Sequence, residues 1–167
     1  SLYIDSALAK VEFENNGINY TREYFVSYPD SVIVCKFSAN QKEKQNLRLV
    51  FRPNPESYIE IKPIEKNEVL FCGRLKDNEM SFALRIRVEA KNGEVEINEK
   101  GEISVKGRDE VVFLLSGDTD YFMNFTPDFS DCNTYVGINP FETTKKTFER
   151  IEGLTYQDLK QRHLEDY

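Results

Sequence analysis

The sequence has no tryptophan, a single histidine and only three cysteines among its 167 residues. Without tryptophan, a lectin-like platform of sugar-stacking rings is less favoured, and a lone His163 leaves a zinc site short of ligands. Cys35, Cys72 and Cys132 are odd in number and far apart, so they form no disulfide framework. Cys35 and Cys72 lie within apolar runs, which predicts buried free thiols and leaves one bridge open.

Long apolar runs and clustered basic residues are missing as well. No stretch approaches the length of a membrane-spanning helix, and we expect no signal peptide and no membrane partner. The net charge is −7, which argues against a nucleic-acid partner because phosphate binding needs a basic stripe. Arg85 with Arg87, and Lys145 with Lys146, are interpreted as solvated. Ser1 in place of methionine indicates a processed end or a cloning boundary.

The first two thirds of the chain contain apolar and polar residues in alternation, with turn signals roughly every 8–12 residues, as in a sandwich or barrel. Asn16-Gly17 and Asn92-Gly93 predict hairpin turns, because these residues tolerate positive φ. Strands are predicted at residues 7–27 (a hairpin), 31–37, 47–51, 58–64, 68–75, 80–90, 95–97, 103–105 and 111–116. Residues 1–125 are therefore predicted to form a mainly β, antiparallel domain.

The rest of the chain, residues 126–167, has a different pattern. Residues 126–141 contain Pro127 and Pro140 and predict a long surface loop. Residues 142–152 predict a weak helix that ends at Gly153. Thr155 is a good N-cap for a second helix, with Asp158 completing a variant of the capping box.

The second predicted helix has one continuous face. Leu154 and Leu159 stand at the positions of a hydrophobic staple. Three- and four-residue spacing places Tyr156, Leu159, His163 and Tyr167 on the same side. We expect this face to pack against the sandwich, against a further domain, or against both.

The best catalytic candidates are Asp118 and Asp120, which lie about 7 Å apart if the strand is extended. That separation fits the roughly 6.5–9.5 Å between the carboxylates of inverting glycosidases. Any Asp-x-Asp at a strand end meets this criterion, so capping or turn roles are favoured. Together with Asp128 and Asp131 they also offer oxygens for Ca²⁺, but without EF-hand spacing, and a solvated loop is favoured.

The aromatic residues Tyr121, Phe122 and Phe125 follow the last predicted strand. They allow a sugar-stacking platform, although packing in the core or against another domain is favoured. His163 has no nucleophile motif near it in sequence and is interpreted as a packing residue. We predict no catalytic residue, no cofactor and no metal site in this chain.

Three sets of motifs, in order, resemble a known family. The first spans residues 9–13, 17–27 and 29–34 and includes Tyr-Thr-Arg-Glu-Tyr-Phe. The second spans residues 73–75, 77–82, 109–111 and 119–121. The third is the closing Leu-Lys-x-x-His-x-x-Asp-Tyr at 159–167, preceded by Tyr-Gln-Asp. Together they are similar to the N-terminal β-sandwich domain of glycoside hydrolase family 95, the inverting α-L-fucosidases and close relatives.

The resemblance implies an antiparallel super-sandwich whose helical linker leads into a missing (α/α)₆ catalytic barrel, with a glycan as the parent enzyme's substrate. The catalytic acid and base would lie in that barrel, so Tyr156, Leu159, His163 and Tyr167 become candidates for interdomain packing. The chain lacks the N-terminal segment that family members carry, which predicts open sheet edges able to form a dimer.

The function implied is a non-catalytic domain fragment that supports the barrel of a bacterial, periplasmic or secreted enzyme of carbohydrate metabolism. Two alternatives stay open. One is a free-standing carbohydrate-binding or adhesive β-sandwich. The other is a small hydrolase that uses Asp118 and Asp120, and this reading depends on their spacing alone.

Overall fold

A computed structural model describes residues 1–92, 94–126, 128–130 and 137–167. Its strands are β1 (Leu2–Tyr3), β2 (Leu8–Asn15), β3 (Ile18–Ser27), β4 (Val32–Ala39), β5 (Gln45–Leu49), β6 (Ser57–Glu65), β7 (Glu68–Leu75), β8 (Ser81–Lys91), β9 (Glu94–Ile97), β10 (Ile103–Arg108) and β11 (Glu110–Thr119). Its α-helices are α1 (Pro140–Arg150) and α2 (Tyr156–Asp166). A short 3₁₀ helix spans Ile4–Ser6.

The strands form two antiparallel sheets. The large sheet has the order β1-β2-β3-β4-β11-β8-β7-β6, and the small sheet has the order β5-β10-β9. The predicted hairpin is β2 and β3, whose turn places Asn16 and Gly17 at positive φ. The second predicted turn includes Gly93, which lies outside the described residues. The prediction of a mainly β, antiparallel sandwich is confirmed.

The core between the sheets follows from the alternation along each strand. On β8, Leu84, Ile86 and Val88 face the small sheet, where Ile103 and Val105 of β10 are almost fully buried. Successive side chains of a strand point to opposite faces, so one face of the large sheet supplies this core.

The two helices form a third layer on the other face of the large sheet. Val112 and Leu114 of β11 pack there with Phe148 of α1 and Leu159 of α2. β11 is therefore covered on both faces, as its continuous apolar run predicts. The helical tail packs directly on the sandwich.

The ends of both helices follow their local sequence. Asn139 Oδ1 accepts a hydrogen bond from Phe141 N, and Pro140 occupies the first turn of α1, so this helix begins two residues before the predicted start. Gly153 has a φ of +78° between the helices, consistent with its predicted role as a helix stop. Thr155 and Asp158 form the predicted capping box of α2.

One sequence interpretation is wrong: Arg85 and Arg87 are not a solvated pair. Arg85 is buried, and its Nη1 donates to Glu68 Oε1 at 2.6 Å. Arg87 donates to the other oxygen of Glu68 at 2.8 Å and to Glu152 at 2.6 Å. Helix α1 covers this face of β8, so the two cations are desolvated and need carboxylate partners. Lys145 and Lys146 are exposed, as predicted.

Candidate interdomain surface

The predicted face of α2 lies against the large sheet of the same chain. Leu159 is fully buried, and the rings of Tyr156 and His163 lie 5.9 and 4.9 Å from that of Phe25 on β3. His163 Nε2 is 2.9 Å from the carbonyl oxygen of Ser6. This contact and the stacking on Phe25 give His163 a packing role, as the sequence favoured.

Tyr167 closes this face at the surface. Its hydroxyl donates to the carbonyl oxygen of Ile4 at 2.8 Å, yet most of the side chain is exposed. Of the four residues on the predicted face, Tyr167 therefore has the most area free for a further contact. The interdomain role of Tyr156, Leu159, His163 and Tyr167 stays a prediction.

A buried carboxylate, Asp30, joins both helices to the turn between β3 and β4. It accepts a hydrogen bond from Ser27 Oγ at 2.7 Å, and Arg162 Nη2 of α2 lies 2.8 Å from it. Arg150, at the end of α1, donates to the carbonyl oxygen of Asp30 at 2.7 Å. This contact could not be predicted from the sequence, because Arg150 and Arg162 lie more than a hundred residues from Asp30.

A charged cleft of about 520 Å³ lies where the segment between the helices crosses β4, β8 and β11. Lys36 pairs with Glu110 at 2.8 Å, and its Nζ lies 4.4 Å from the centre of the Tyr156 ring. Burial raises the pKa of Glu89 in this cleft. The face of Tyr156 is thus occupied by a cation, which leaves it poorly suited to stacking on a sugar.

The hydroxyl end of Tyr156 is also enclosed by charge. Burial, together with the neighbouring Glu23 carboxylate, raises the pKa of Tyr156 well above its usual value. Burial alone would raise the pKa of Glu23, but the Lys160 ammonium at 2.9 Å lowers it overall. The charged groups around Tyr156 thus pair with one another, and the pair of Lys160 with Glu23 attaches α2 to β3.

The carboxylates of Asp118 and Asp120 have capping and turn roles. Asp118 Oδ1 accepts from Thr119 N at 2.9 Å, and Asp120 Oδ1 accepts from Ser81 N at 2.8 Å. The carbonyl oxygen of Asp120 accepts from Gly137 N. A Cβ at Gly137 would lie only 2.0 Å from that oxygen, so this close approach requires glycine.

The other candidate metal ligands are Asp128, Asp131 and the cysteines. Asp128 accepts from the backbone and hydroxyl of Ser130, and these hydrogen bonds lower its pKa. Asp131 and Cys132 lie outside the described residues, as does Pro127. Cys35 and Cys72 are free thiols, and burial raises the pKa of both. In the part of the chain that the structure describes, no three His, Cys, Asp or Glu side chains converge to hold a metal ion.

After β11 the chain exposes a series of large apolar side chains, which we name the aromatic segment. It consists of Tyr121, Phe122, Met123, Phe125, Phe129 and Ile138, whose exposed fractions lie between 52% and 83%. Core packing, one of the two roles favoured for Tyr121, Phe122 and Phe125, is therefore wrong for this chain. So much apolar surface in one segment is typical of a binding surface.

None of the described helices is long and apolar enough to cross a bilayer.

Comparisons with known proteins place these features in a family. The family model described as "Glycosyl hydrolase family 65, N-terminal domain" matches residues 1–124. "Alpha-L-fucosidase 2" of Arabidopsis thaliana is 24% identical over an alignment 188 residues long. The alignment covers 99% of this chain and 22% of that protein.

A solved structure has the same fold. The protein described as "Putative kojibiose phosphorylase from human microbiome" superposes on 99% of this chain with a TM-score of 0.64 at 9% identity. This likeness concerns the fold alone. The chain spans 22% of the plant relative and 23% of the solved structure.

Proposed function

The chain belongs to the family of glycosyl hydrolase family 65 N-terminal domains, and from this premise we propose that it is the non-catalytic N-terminal domain of an α-L-fucosidase-like glycoside hydrolase. The resemblance found in the sequence, to the N-terminal domain of a fucosidase-like glycoside hydrolase, is confirmed by the family match and the plant relative. The non-catalytic role, the inverting mechanism and the (α/α)₆ partner are the proposal.

The hydrogen bonds of Asp118 and Asp120 are the observation that supports a non-catalytic role for this domain. An inverting glycosidase needs one carboxyl group free to protonate the leaving group and another free to activate water. Here one oxygen of each aspartate already accepts a backbone N–H, so both carboxylates are used to hold the backbone at the end of β11. The catalytic pair is proposed to lie in a helical barrel of the same polypeptide.

The aromatic segment is the proposed docking surface for that barrel. It follows β11, and Tyr167 adds a further exposed ring at the end of α2. Interfaces between domains of one chain resemble protein–protein interfaces and are rich in such aromatic residues. The domain would then stabilise the barrel through packing without supplying a reacting group.

An activity assay tests the non-catalytic role. The 167-residue chain should not hydrolyse an aryl α-L-fucoside, while a polypeptide that includes the proposed catalytic domain should release β-L-fucose first, because inversion changes the anomer. Proton NMR of the first product distinguishes the two anomers. Turnover by the 167-residue chain that disappears in Asp118→Asn or Asp120→Asn would contradict the proposal.

A pair of matched substitutions tests the docking surface. Phe125 and Tyr28 are 83% and 84% exposed, but only Phe125 belongs to the aromatic segment. In the polypeptide with the catalytic domain, Phe125→Asp should lower the thermal stability of that domain and Tyr28→Asp should not. Equal effects of the two substitutions would remove the aromatic segment from the interface.

The exposure of Phe122 also favours a second candidate, a carbohydrate-binding β-sandwich. An accessible ring offers a flat face for a sugar, and Phe122 is largely exposed. This function predicts saturable binding of fucosylated glycans to the 167-residue chain and its loss in Phe122→Ala. A flat calorimetric titration of the wild-type chain would remove it.

A further inference from the structure

A pocket of about 380 Å³ lies between α1 and the end of β11, and we name it the polar pocket. β11 contributes Ser116 and Asp118 to its lining, and α1 contributes Lys146, Thr147 and Arg150. Ser116 and Asp118 lie on the face of β11 that the helices cover, because successive side chains of a strand alternate between its faces. β11 is the fifth strand from the β1 edge of the large sheet, so the pocket is built from interior elements.

Two hydroxyl groups of the polar pocket are buried without a partner. Ser116 is 5% exposed and Thr147 is 3% exposed, yet neither hydroxyl makes a hydrogen bond with any described residue. Neither oxygen is sealed by protein atoms, so both can be reached from the pocket. Two other threonines of α1 differ, because Thr143 and Thr144 donate to carbonyl oxygens one turn earlier, at 3.3 and 2.9 Å.

This pair of hydroxyls indicates that a polar molecule occupies the pocket. Burying a hydroxyl is costly unless it is hydrogen-bonded, and the large majority of buried polar side-chain atoms in folded proteins have a partner. Ser116 and Thr147 come from different elements and line the same pocket, so one bound molecule can satisfy both.

A carboxylate oxygen adds a third free group. Asp118 accepts from Thr119 N with Oδ1, whereas its Oδ2 has no hydrogen bond or ion pair in the part of the chain that the structure describes. Lys146 and Arg150 are exposed and offer N–H donors at the rim, and neither forms an ion pair with a described side chain. Arg150 does donate one N–H to the carbonyl oxygen of Asp30 at 2.7 Å.

We propose that the polar pocket binds one sugar unit of a glycan. A sugar ring carries hydroxyls on adjacent carbons, and each of them donates and accepts, as Ser116, Thr147 and Asp118 together require. An anionic ligand fits less well because the Asp118 carboxylate repels it, and a cationic ligand meets Lys146 and Arg150. The volume lies within the range of small-molecule sites, in which a few polar groups fix the orientation of the ligand.

The polar pocket opens beside the aromatic segment, because Ile138 belongs to both. For the origin of the glycan this assignment rests on the proposed function, in which the catalytic domain docks on the aromatic segment. The pocket then lies at the border of two domains, where small-molecule sites are common. The sandwich holds a sugar unit of the substrate there, and Ser116, Thr147 and Asp118 are binding residues that take no part in bond cleavage.

NMR titration of the isotope-labelled 167-residue chain with methyl α-L-fucopyranoside tests this site. The amide signals of Ser116, Gly117 and Thr147 should shift in a saturable way, with a dissociation constant of about 1 to 10 mM. Thr147→Val removes only the hydroxyl and should weaken binding about fivefold, and Asp118→Asn about tenfold, because hydrogen bonds to charged groups are stronger.

Thr144→Val is the matched control. Thr144 is a fully buried threonine of the same helix, but its hydroxyl already donates to the carbonyl oxygen of Pro140 and lies outside the pocket. This substitution should leave the dissociation constant unchanged. The spectrum of each variant also shows whether it folds, and Ser116→Ala provides a further test on β11, with the same expected weakening as Thr147→Val.

Three results overturn the assignment. The first is a flat titration of the wild type up to about 100 mM, which means that water alone fills the pocket. The second is binding that Thr147→Val, Ser116→Ala and Asp118→Asn leave unchanged, which places the sugar elsewhere, for example on Phe122. The third is a shift of the same amides by inorganic phosphate at lower concentration, which makes the pocket an anion site.

The pocket and the proposed function can fail separately. If the polypeptide with the catalytic domain hydrolyses an aryl α-L-fucoside while the 167-residue chain binds no sugar, the proposed function stands and the sugar site is refuted. If the chain binds the fucoside through Thr147 while the longer polypeptide has no glycosidase activity, the sugar site stands and the proposed function is refuted.

Discussion

Individual buried carboxylates of this domain differ in whether their charge is compensated. Glu68 holds Arg85 and Arg87 with its two oxygens, and Asp30 pairs with Arg162 and Ser27. A buried charge without a partner costs several kcal/mol, so each of these residues requires its neighbours. Glu89 is the contrasting case: it is partly buried without a hydrogen bond or ion pair to any described residue, and the more distant charge of Arg87 only partly offsets its desolvation.

This difference predicts a pH dependence for Glu89→Gln. Burial raises the pKa of Glu89 in the folded chain, so the unfolded chain releases this proton at lower pH. The wild type therefore loses stability as pH rises from the usual glutamate pKa through the raised one. Glu89→Gln should have a higher free energy of unfolding than the wild type at about pH 7 and an equal one at about pH 4.

Urea denaturation at the two pH values measures this difference. Glu99→Gln, in an exposed turn, is the control and should change the free energy of unfolding at neither pH. If Glu89→Gln destabilises the chain at neutral pH, the Glu89 carboxylate has a stabilising partner, and burial does not dominate its pKa.

At the scale of single elements, α2 depends on the cap at its start. Thr155 Oγ1 accepts from Asp158 N at 3.2 Å, while Asp158 accepts from Thr155 N at 2.8 Å. Thr155→Ala removes the hydroxyl partner and should lower the free energy of unfolding by about 1 kcal/mol. Urea denaturation measures the loss, and Thr126→Ala, at an exposed position outside any helix, should show none. If Thr155→Ala left the free energy of unfolding unchanged, packing alone would position α2.

Strand and helix positions could be predicted from the sequence because their signals are local. β7 has the predicted ends, and the cap of α2 follows from Thr155 and Asp158. Strand order could not be predicted, because pairing of β11 with both β4 and β8 joins residues far apart in the chain. The burial of Arg85 could not be predicted for the same reason, because that face of β8 is interior only where α1 packs over it.

The candidate surface was predictable only in part. The face of α2 follows from helical spacing, and Leu159 is buried as the pattern predicts. Three residues of the aromatic segment, Tyr121, Phe122 and Phe125, were expected to pack in a core or against another domain, and composition alone could not decide between the two. That choice depends on whether other elements cover Phe122 and Phe125, which is a property of the tertiary fold.

The position of β11 in the large sheet also determines when the sheet can assemble during synthesis. Among the described strands β11 is the last to leave the ribosome, yet it separates β1–β4 from β6–β8. Until Glu110–Thr119 emerges, β4 and β8 each present an unpaired edge, and the nascent halves cannot join. A sheet completed by its final strand folds slowly because its contacts span long sequence separations. The unpaired edges of β4 and β8 are the points at which a nascent chain can aggregate or bind a chaperone.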